Sequence, residues 1–337
     1  MSKTKKNINE IRKIITKNAR TLAAVNRVKQ TAIGYKIREG KIMRDTISAI
    51  FFVRYKPKAT MLRSLNIEPL PKEIEGIPTD VIEVPTGFAK RIIPLSPRAT
   101  APDDSRHRPV SGGIAMINAQ PEPLGTGTLG LIVKRKGSEG LFGCTNNHVG
   151  ANEDLEGRPP TANIGDPWIQ PGAHGSGQVP DDTIGKLDKW GRIRPAGTEP
   201  NFYDFSIGKI DEPAKPYEMI DVGAIDGSAE LELGDRVLKR GRTTRKTVGE
   251  VIAVLADNIT VDYQEGIPCV FNDQAVVVGI PETNPFSLAG DSGSFVVSEE
   301  SPHKVKGQLF AGGESEGVDI TIVSPIRKII DDFKLEL

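Results

Sequence analysis

The sequence predicts a mainly β protein whose strands close into a sandwich or barrel, preceded by a small α+β domain. Three observations carry that expectation. Short apolar runs recur between residues 128 and 310, each bounded by Gly, Pro or Asp. Glycine (35) and proline (25) are plentiful and scattered between those runs, which calls for many turns and therefore short strands. Residues 1–90 differ in texture, with a basic helical stretch leading into a few strand patterns.

A chain of 337 residues is long enough for two domains with a core each. Its 44 basic and 44 acidic residues cancel, so no overall field draws it to nucleic acid. No apolar run approaches the roughly 20 residues of a membrane helix, so no membrane span is expected. The lysine-rich N-terminus also lacks the apolar centre of a signal peptide. Two cysteines, Cys144 and Cys269, are too few for a disulfide framework, so a reducing, cytoplasmic setting is expected.

From Asn7 to about Val28, Ile8, Ile11, Ile15, Leu22 and Val25 recur at helical spacing. Lys5, Lys6, Arg12, Lys13, Lys17, Arg20, Arg27 and Lys29 make that helix basic. The expectation is a solvated face on a docked helix, with contact to nucleic acid or an anionic membrane as the alternative. Ala32–Ile37, a Glu39-Gly40 turn and Ile47–Tyr55 read as a hairpin. A helical piece at Thr60–Leu65 and a strand at Thr79–Val84 complete the N-terminal domain. Residues 91–111, rich in Pro, Ser, Asp and Arg, read as an exposed linker.

Beyond the linker, from 112 to 337, strands are expected at Thr128–Lys134, Gly140–Thr145, Thr183–Leu187, Phe205–Ile210 and Arg236–Lys239. Others are expected at Glu250–Leu255, Ile259–Tyr263, Gln274–Val278, Ser294–Val297 and Lys306–Phe310. Pro325 opens a last helix, Ile326–Leu335, whose apolar residues pack back on the body.

The strongest chemical signal is Ala289-Gly290-Asp291-Ser292-Gly293-Ser294, followed by the apolar Phe295-Val296-Val297. A serine hydroxyl is a weak nucleophile, so it needs exposure, a base and donors for the oxyanion it creates. Flanking glycines let the backbone turn tightly enough to supply those donors. The same residue types also build ordinary surface turns, so the motif alone leaves both readings open.

Of the four histidines, His107 falls in the linker, His174 in a Gly-rich loop and His303 in a charged turn. Only His148, in Cys144-Thr145-Asn146-Asn147-His148-Val149, ends an apolar strand of the expected barrel, and an imidazole titrates near neutrality. A structural histidine is the alternative. The carboxylate that would orient it is Asp204, just ahead of the strand Phe205–Ile210. Asp181, Asp182 and Asp188 are its rivals.

The order His, Asp, Ser, with Gly-Asp-Ser-Gly and Asn-Asn-His-Val, resembles the chymotrypsin-like (trypsin-like) serine proteases. Within them it is most similar to the intracellular peptidases related to the plant narrow-leaf protein and their bacterial counterparts. Ile33-Gly34-Tyr35-Lys36, Ile77-Pro78-Thr79-Asp80-Val81 and Gly241-Arg242-Thr243-Thr244 carry that similarity from about residue 31 onward. The resemblance implies two six-stranded antiparallel β-barrels with the active site between them. His148 and Asp204 would come from the first barrel and Ser292 from the second. It implies an oxyanion hole from the N–H groups of Gly290 and Ser292, and substrate contacts at Phe286, Ala311 and Gly312. Phe286, at the base of the specificity pocket, implies a preference for uncharged side chains. Gly150 and Arg245 depart from the expected pattern, a larger apolar residue and a glycine respectively. Secreted relatives mature by cleavage so that a new N-terminus pairs with the Asp before the serine. Gly113-Ile114 is a candidate for that role, and an ordinary first strand is the simpler reading.

Gly125-Thr126-Gly127-Thr128-Leu129-Gly130 matches a dinucleotide fingerprint by letters but precedes a strand, so no such cofactor is expected. Cys144 and His148 lack a second pair of ligands, so no metal is expected either. The function expected is limited proteolysis of a protein substrate through an acyl-enzyme, with an activator or effector protein and a homo-oligomer as possible associations. A regulated bacterial defence or signalling role belongs to the same expectation. The competing readings are a protease-like scaffold that binds a partner or nucleic acid, and an esterase with the same residues.

Overall fold

The structure, a computed structural model, describes residues 7–26, 28–38, 41–53, 55–83, 102–120, 125–263, 266–315 and 317–337. Helix α1 (Ile8–Asn26) begins at a reciprocal cap: Asn7 Oδ1 accepts the Glu10 N–H and Glu10 Oε2 accepts the Asn7 N–H, both at 2.9 Å. Its buried residues Ile11, Ile15 and Leu22 realise the expected stripe, each contributing roughly 1.5–3 kcal/mol on full burial. The side chain of Val25 lies outside the described residues.

Strands β1 (Gln30–Arg38) and β2 (Lys41–Val53) pair antiparallel as expected, the Glu39-Gly40 turn lying outside the described residues, and α2 (Ala59–Ser64) leads to β3 (Glu73–Ile74) and β4 (Ile77–Glu83). Strand β4 runs parallel to β2. The unbroken apolar run Ala49-Ile50-Phe51-Phe52 has a simple cause, because both faces of β2 are covered. Ala49 and Phe51 join Ile33 and the α1 residues in one core, while Ile50 and Phe52 join Ile252 and Val276 in another. Strand β1 pairs with a long strand of the body, Ile33 opposite Val254 and Gly34 opposite Ala253. At Gly34 a side chain would collide with the Ile252 carbonyl, so glycine permits this junction.

Of the expected linker, 91–111, residues 91–101 lie outside the described residues; in the remainder Ser105, Arg106 and Pro109 are exposed, while Asp103, Val110 and Ser111 are buried. Asp103 is buried, its carboxylate bound by the Arg240 guanidinium, and its N–H donates to the Arg242 carbonyl at 2.8 Å.

The first half of the body contains β5 (Val110–Gly112), β6 (Ile114–Asn118), β7 (Gly127–Leu129), β8 (Leu131–Arg135) and β9 (Leu141–Thr145). It continues with α3 (Asn147–Gly150), β10 (Pro167–Ile169), β11 (Thr183–Trp190) and β12 (Ser206–Ile210). These pair in the order β8-β9-β12-β11-β10-β6-β7, and the chain bends at Gly130 from β7 into β8, so the sheet curls around Trp168, Leu129, Met116 and Leu187.

Strands β13 (Ala214–Met219) and β14 (Gly223–Ser228) lead to the second half. There β15 (Arg236–Gly241) and β16 (Arg245–Asp257) precede the hairpin β17 (Ile259–Tyr263) and β18 (Ile267–Phe271). Then follow β19 (Gln274–Gly279), β20 (Phe295–Ser298), β21 (His303–Ser315) and β22 (Val318–Pro325). Strands β15, β16, β19, β22, β21 and β20 pair in a closed ring, each antiparallel to the next. Valines 237, 251, 277 and 296 with Leu309 fill it.

The closing strand β22 is not among the strands expected from sequence. Its Thr321 and Ser324 are buried and hydrogen-bonded to Ser287 and Gln274, so its pattern is not that of a half-buried strand. Helix α4 (Ile326–Phe333) and β23 (Leu335–Glu336) end the chain. Ile326, Ile329 and Phe333 share one core with Phe205 and Ile207 of the first half and Leu238 and Phe295 of the second, and β23 pairs with β8. The C-terminal helix therefore packs against both halves of the body.

Candidate active site

His148 sits in the single turn α3, where buried polar side chains hold the backbone. Asn147 Nδ2 donates to the carbonyls of Gly191 (2.7 Å) and Asp154 (3.1 Å), and its Oδ1 accepts the Asp154 N–H at 2.8 Å. Asn146 Nδ2 donates to the Asp204 carbonyl at 2.7 Å, which ties the turn to the strand entry that carries the carboxylate. Gly150 departs from a larger apolar residue because there is no room: a Cβ there would overlap Ser206 Oγ and Trp168. Its carbonyl accepts Trp168 Nε1 and Asn118 Nδ2, both at 2.9 Å.

Asp204, 1% exposed, meets His148 directly. Its Oδ2 accepts His148 Nδ1 at 2.5 Å and its Oδ1 accepts the His148 backbone N–H at 3.2 Å. Burial disfavours the imidazolium, but the Asp204 charge and hydrogen bond, with Glu153 nearby, outweigh it and raise the His148 pKa above its usual value. The rival carboxylates are elsewhere. Asp188 pairs with Arg135 at 2.7 Å, Asp182 with Arg106 at 3.1 Å, and Asp181 is exposed. The other histidines serve local contacts: His107 with Asp103, His174 with Thr126, His303 with the Ser298 carbonyl.

Ser292 lies in the turn before β20. Gly290 and Gly293 both have φ of +97°, which an L side chain rarely adopts, and a Cβ on Gly293 would strike the Thr128 carbonyl and Thr145 Oγ1. Within this turn the Asp291 N–H donates to the Leu288 carbonyl (3.0 Å), Gly293 N–H to Leu309 (3.2 Å) and Ser294 N–H to Asp291 (3.0 Å). Among the described residues the N–H groups of Gly290 and Ser292 have no protein acceptor.

The Ser292 carbonyl accepts the Thr128 N–H at 2.8 Å. That strand also adjoins the histidine turn, since a Cβ on Gly127 would overlap the Val149 side chain and lie 3.1 Å from the Ser292 carbonyl oxygen. The serine loop and the histidine turn thus flank one glycine. No hydrogen bond joins Ser292 Oγ to His148 among the described residues.

Asp291 is the electrostatic centre of the serine loop. It accepts the N–H groups of Leu288 (2.9 Å), Thr243 (2.8 Å) and Thr244 (3.1 Å) and the Thr244 hydroxyl (2.7 Å), and it lies 3.4 Å from the buried ammonium of Lys239. Burial opposes its ionisation, but Lys239 and these donors prevail and hold its carboxyl below the usual range. Asp291 therefore already has an internal cation. Ile114 is wholly buried within β6, and Gly113 gives its carbonyl to Arg240, so the Gly113-Ile114 terminus considered from sequence is not the partner of Asp291 here. Arg245, where a glycine is the expected residue, adopts the left-handed φ of +55° that a glycine would supply.

The three substrate-contact residues do not all face an opening. Phe286 is wholly buried with Val237, Val251 and Val277, its ring 5.9 Å from the Lys239 ammonium. Its side chain packs with the barrel interior. The Ala311 side chain is likewise in the core, so what β21 offers at Ala311 and Gly312 is backbone.

Sequence reading missed Lys239, a lysine inside an apolar strand, and Tyr263, whose hydroxyl donates to Asp204 Oδ2 at 2.7 Å. It also missed the clamp of Asp104 on Arg242 (2.6 and 2.8 Å), which sets that guanidinium against Gly290. Cys144 is wholly buried and its thiol is pushed up by burial, and burial likewise pushes Cys269 to about 12, so neither thiol is poised as a nucleophile.

The closed six-stranded barrel and its curled companion define a chymotrypsin-like fold. No protein-family profile matches the chain, and no curated protein does. Among solved structures it is similar to Thermobifida fusca protease A (18% identity, 68% of this chain and 97% of that one, TM-score 0.44). It is also similar to Nocardiopsis protease (16%, 68% and 98%, TM-score 0.44) and to Cellulomonas bogoriensis chymotrypsin (17%, 68% and 97%, TM-score 0.42).

Proposed function

We propose that the chain is a serine endopeptidase in which Ser292 is the nucleophile, His148 the general base and Asp204 its orienting carboxylate. The observation that carries this reading is the 2.5 Å contact between His148 Nδ1 and Asp204, with Ser292 reached across Gly127 and its N–H, like that of Gly290, without an acceptor among the described residues. With Nδ1–H given to Asp204, the lone pair of Nε2 is free for the serine proton. Ser292 Oγ attacks the peptide carbonyl as that proton passes to Nε2, and the oxyanion is held by the Gly290 and Ser292 N–H groups. The imidazolium returns the proton to the leaving amine. Water, deprotonated by the same imidazole, then hydrolyses the acyl ester and restores Ser292.

The edge of β21 beyond Leu309 supports a peptide substrate over a small ester. Strand β20 pairs with β21 only as far as Gln308, whereas β22 continues to Ser315, so among the described residues the backbone of 310–314 has one unpaired edge for strand addition. The resemblance to narrow-leaf-type peptidases, a regulated role in a reducing cytoplasm, and modulation by the N-terminal segment belong to this same proposal. Both cysteines are free, and no described helix is long and apolar enough to cross a membrane.

A serine-directed fluorophosphonate should label the chain at Ser292, and Ser292→Ala should abolish labelling and hydrolysis, a loss on the order of 10⁶-fold. Labelling that persists in Ser292→Ala would overturn the assignment, and a chain that never labels is a binding scaffold. On peptides varied at the residue before the cut, cleavage should be fastest after uncharged side chains, because Phe286 carries no charge and the Lys239 ammonium near its ring is already paired with Asp291. Fastest cleavage after Arg would refute this preference.

A further inference from the structure

We propose that Tyr263 is a fourth member of the site, a positioning residue that fixes the Asp204 carboxylate and sets the basicity of His148 through it. The inference rests on the reading of His148, Asp204 and Ser292 given above. Tyr263 comes from neither element that carries His148 or Asp204. It is the last residue of β17, on a hairpin inserted between β16 and β19 of the second barrel. Its hydroxyl donates at 2.7 Å to Asp204 Oδ2, the same oxygen that receives His148 Nδ1, and its ring stands edge-on to the imidazole at 6.3 Å.

Physical necessity explains the contact. A carboxylate 1% exposed must be met by donors or lose its charge. Asp204 has three: the backbone N–H and Nδ1–H of His148, and the phenol. Without the phenol, both carboxylate oxygens would be held by one residue, and the plane of the carboxylate would follow that residue's motion.

The hairpin is built to deliver the phenol rather than to swing. On the first-barrel side, the loop leading to Asp204 is stitched to it, Ala196 N–H to the Pro268 carbonyl and Asn201 N–H to the Val270 carbonyl, both at 2.7 Å. Beneath Tyr263 the ring of Phe271 stacks at 6.0 Å and itself packs on Phe310 at 4.7 Å. On the far side, Asn258 Nδ2 donates to the Lys29 carbonyl at 3.1 Å and Gln30 Nε2 to Thr260 Oγ1 at 3.4 Å, which ties the hairpin to the N-terminal sheet. The titratable groups facing the phenol are Asp204, His148, Glu153 and Cys269. Burial and the Asp204 charge hold it well above an ordinary tyrosine pKa, so it remains a donor throughout the working range.

The test is the rate of fluorophosphonate labelling of the full chain as a function of pH. Tyr263→Phe keeps the ring and removes the donor. Labelling should slow about 10- to 100-fold, as for loss of a hydrogen bond to a charged group, and its acid limb should move to higher pH, because Asp204 no longer shares its charge with the phenol. Replacing Tyr263 by a fluorotyrosine, a stronger donor of the same shape, should move the acid limb the other way. Slower labelling with an unmoved acid limb in both variants would reduce Tyr263 to a packing residue and overturn the proposal, as would wild-type behaviour in both. Parallel Ser292→Ala and His148→Ala variants keep the two readings apart. If they still label, the reading of the site fails. If they are dead while both Tyr263 variants behave as wild type, only the positioning role does.

Discussion

The two carboxylates nearest the candidate chemistry are both buried, yet they are satisfied in opposite ways. Among the described residues Asp204 has hydrogen-bond donors but no fixed cation: its partners are a phenol, an amide and an imidazole. Asp291 has a permanent counter-ion in Lys239 besides its amide and hydroxyl donors. On the histidine side the proposed mechanism requires a proton to come and go, so there a cation would appear only when His148 takes it. On the serine side the backbone must keep one shape, and a fixed ion pair in low dielectric holds it. Charge compensation is thus lasting at the serine loop and, on the proposed mechanism, transient at the histidine.

Breaking the lasting pair should have the largest consequence for stability. Lys239→Met leaves Asp291 charged, buried and without its cation, and should cost about 3–5 kcal/mol, read as a fall in Tm together with loss of fluorophosphonate labelling. An unchanged Tm would mean that the amide and hydroxyl donors suffice. The linkage sign follows from the lowered pKa of Asp291. Its stabilisation is present above the usual carboxylate range and is lost as pH falls through the lower folded value, so acid should narrow the gap between wild type and variant.

Next in size is Gly150→Ala, which forces a methyl against Ser206 Oγ and Trp168 behind the histidine turn. Overpacking of this kind costs typically about 1–3 kcal/mol. Displacement of α3 should slow labelling more than the loss of folded protein accounts for, a difference that labelling normalised to the folded fraction measures. The smallest effect sharpens the transient side. Glu153→Gln removes one of the charges that raise the His148 pKa, so the acid limb of labelling should shift to lower pH with its plateau unchanged. For folding the sign is opposite to that of Asp291. A raised histidine pKa stabilises the chain below the unfolded value and loses that contribution as pH climbs through the folded one.

Much of this architecture was legible from local pattern. The alternation Ile259, Val261, Tyr263 marked a strand, the glycines around Ser292 marked a turn that needs positive φ, and the helical spacing of Ile11, Ile15 and Leu22 marked α1's buried face. Asp204 was distinguished from its rivals by lying just ahead of a strand, and it is the carboxylate that meets His148 Nδ1. The substrate contacts were less legible. Phe286 was placed by counting back from the serine, and counting along the chain cannot tell whether a side chain turns into a pocket or into the barrel.

The sequence by itself determined the periodicities, the turns and the types of residue available for chemistry, because these depend on neighbours a few positions apart. Tertiary structure alone decided which distant groups meet. A tyrosine 59 residues from Asp204 became its donor, a lysine in an apolar strand became the counter-ion of Asp291, and an N-terminal hairpin joined the sheet of the second barrel. Burying a charge or an open sheet edge demands a partner, but any part of the chain that closure brings near can supply it, and nothing in local spacing says which part that will be.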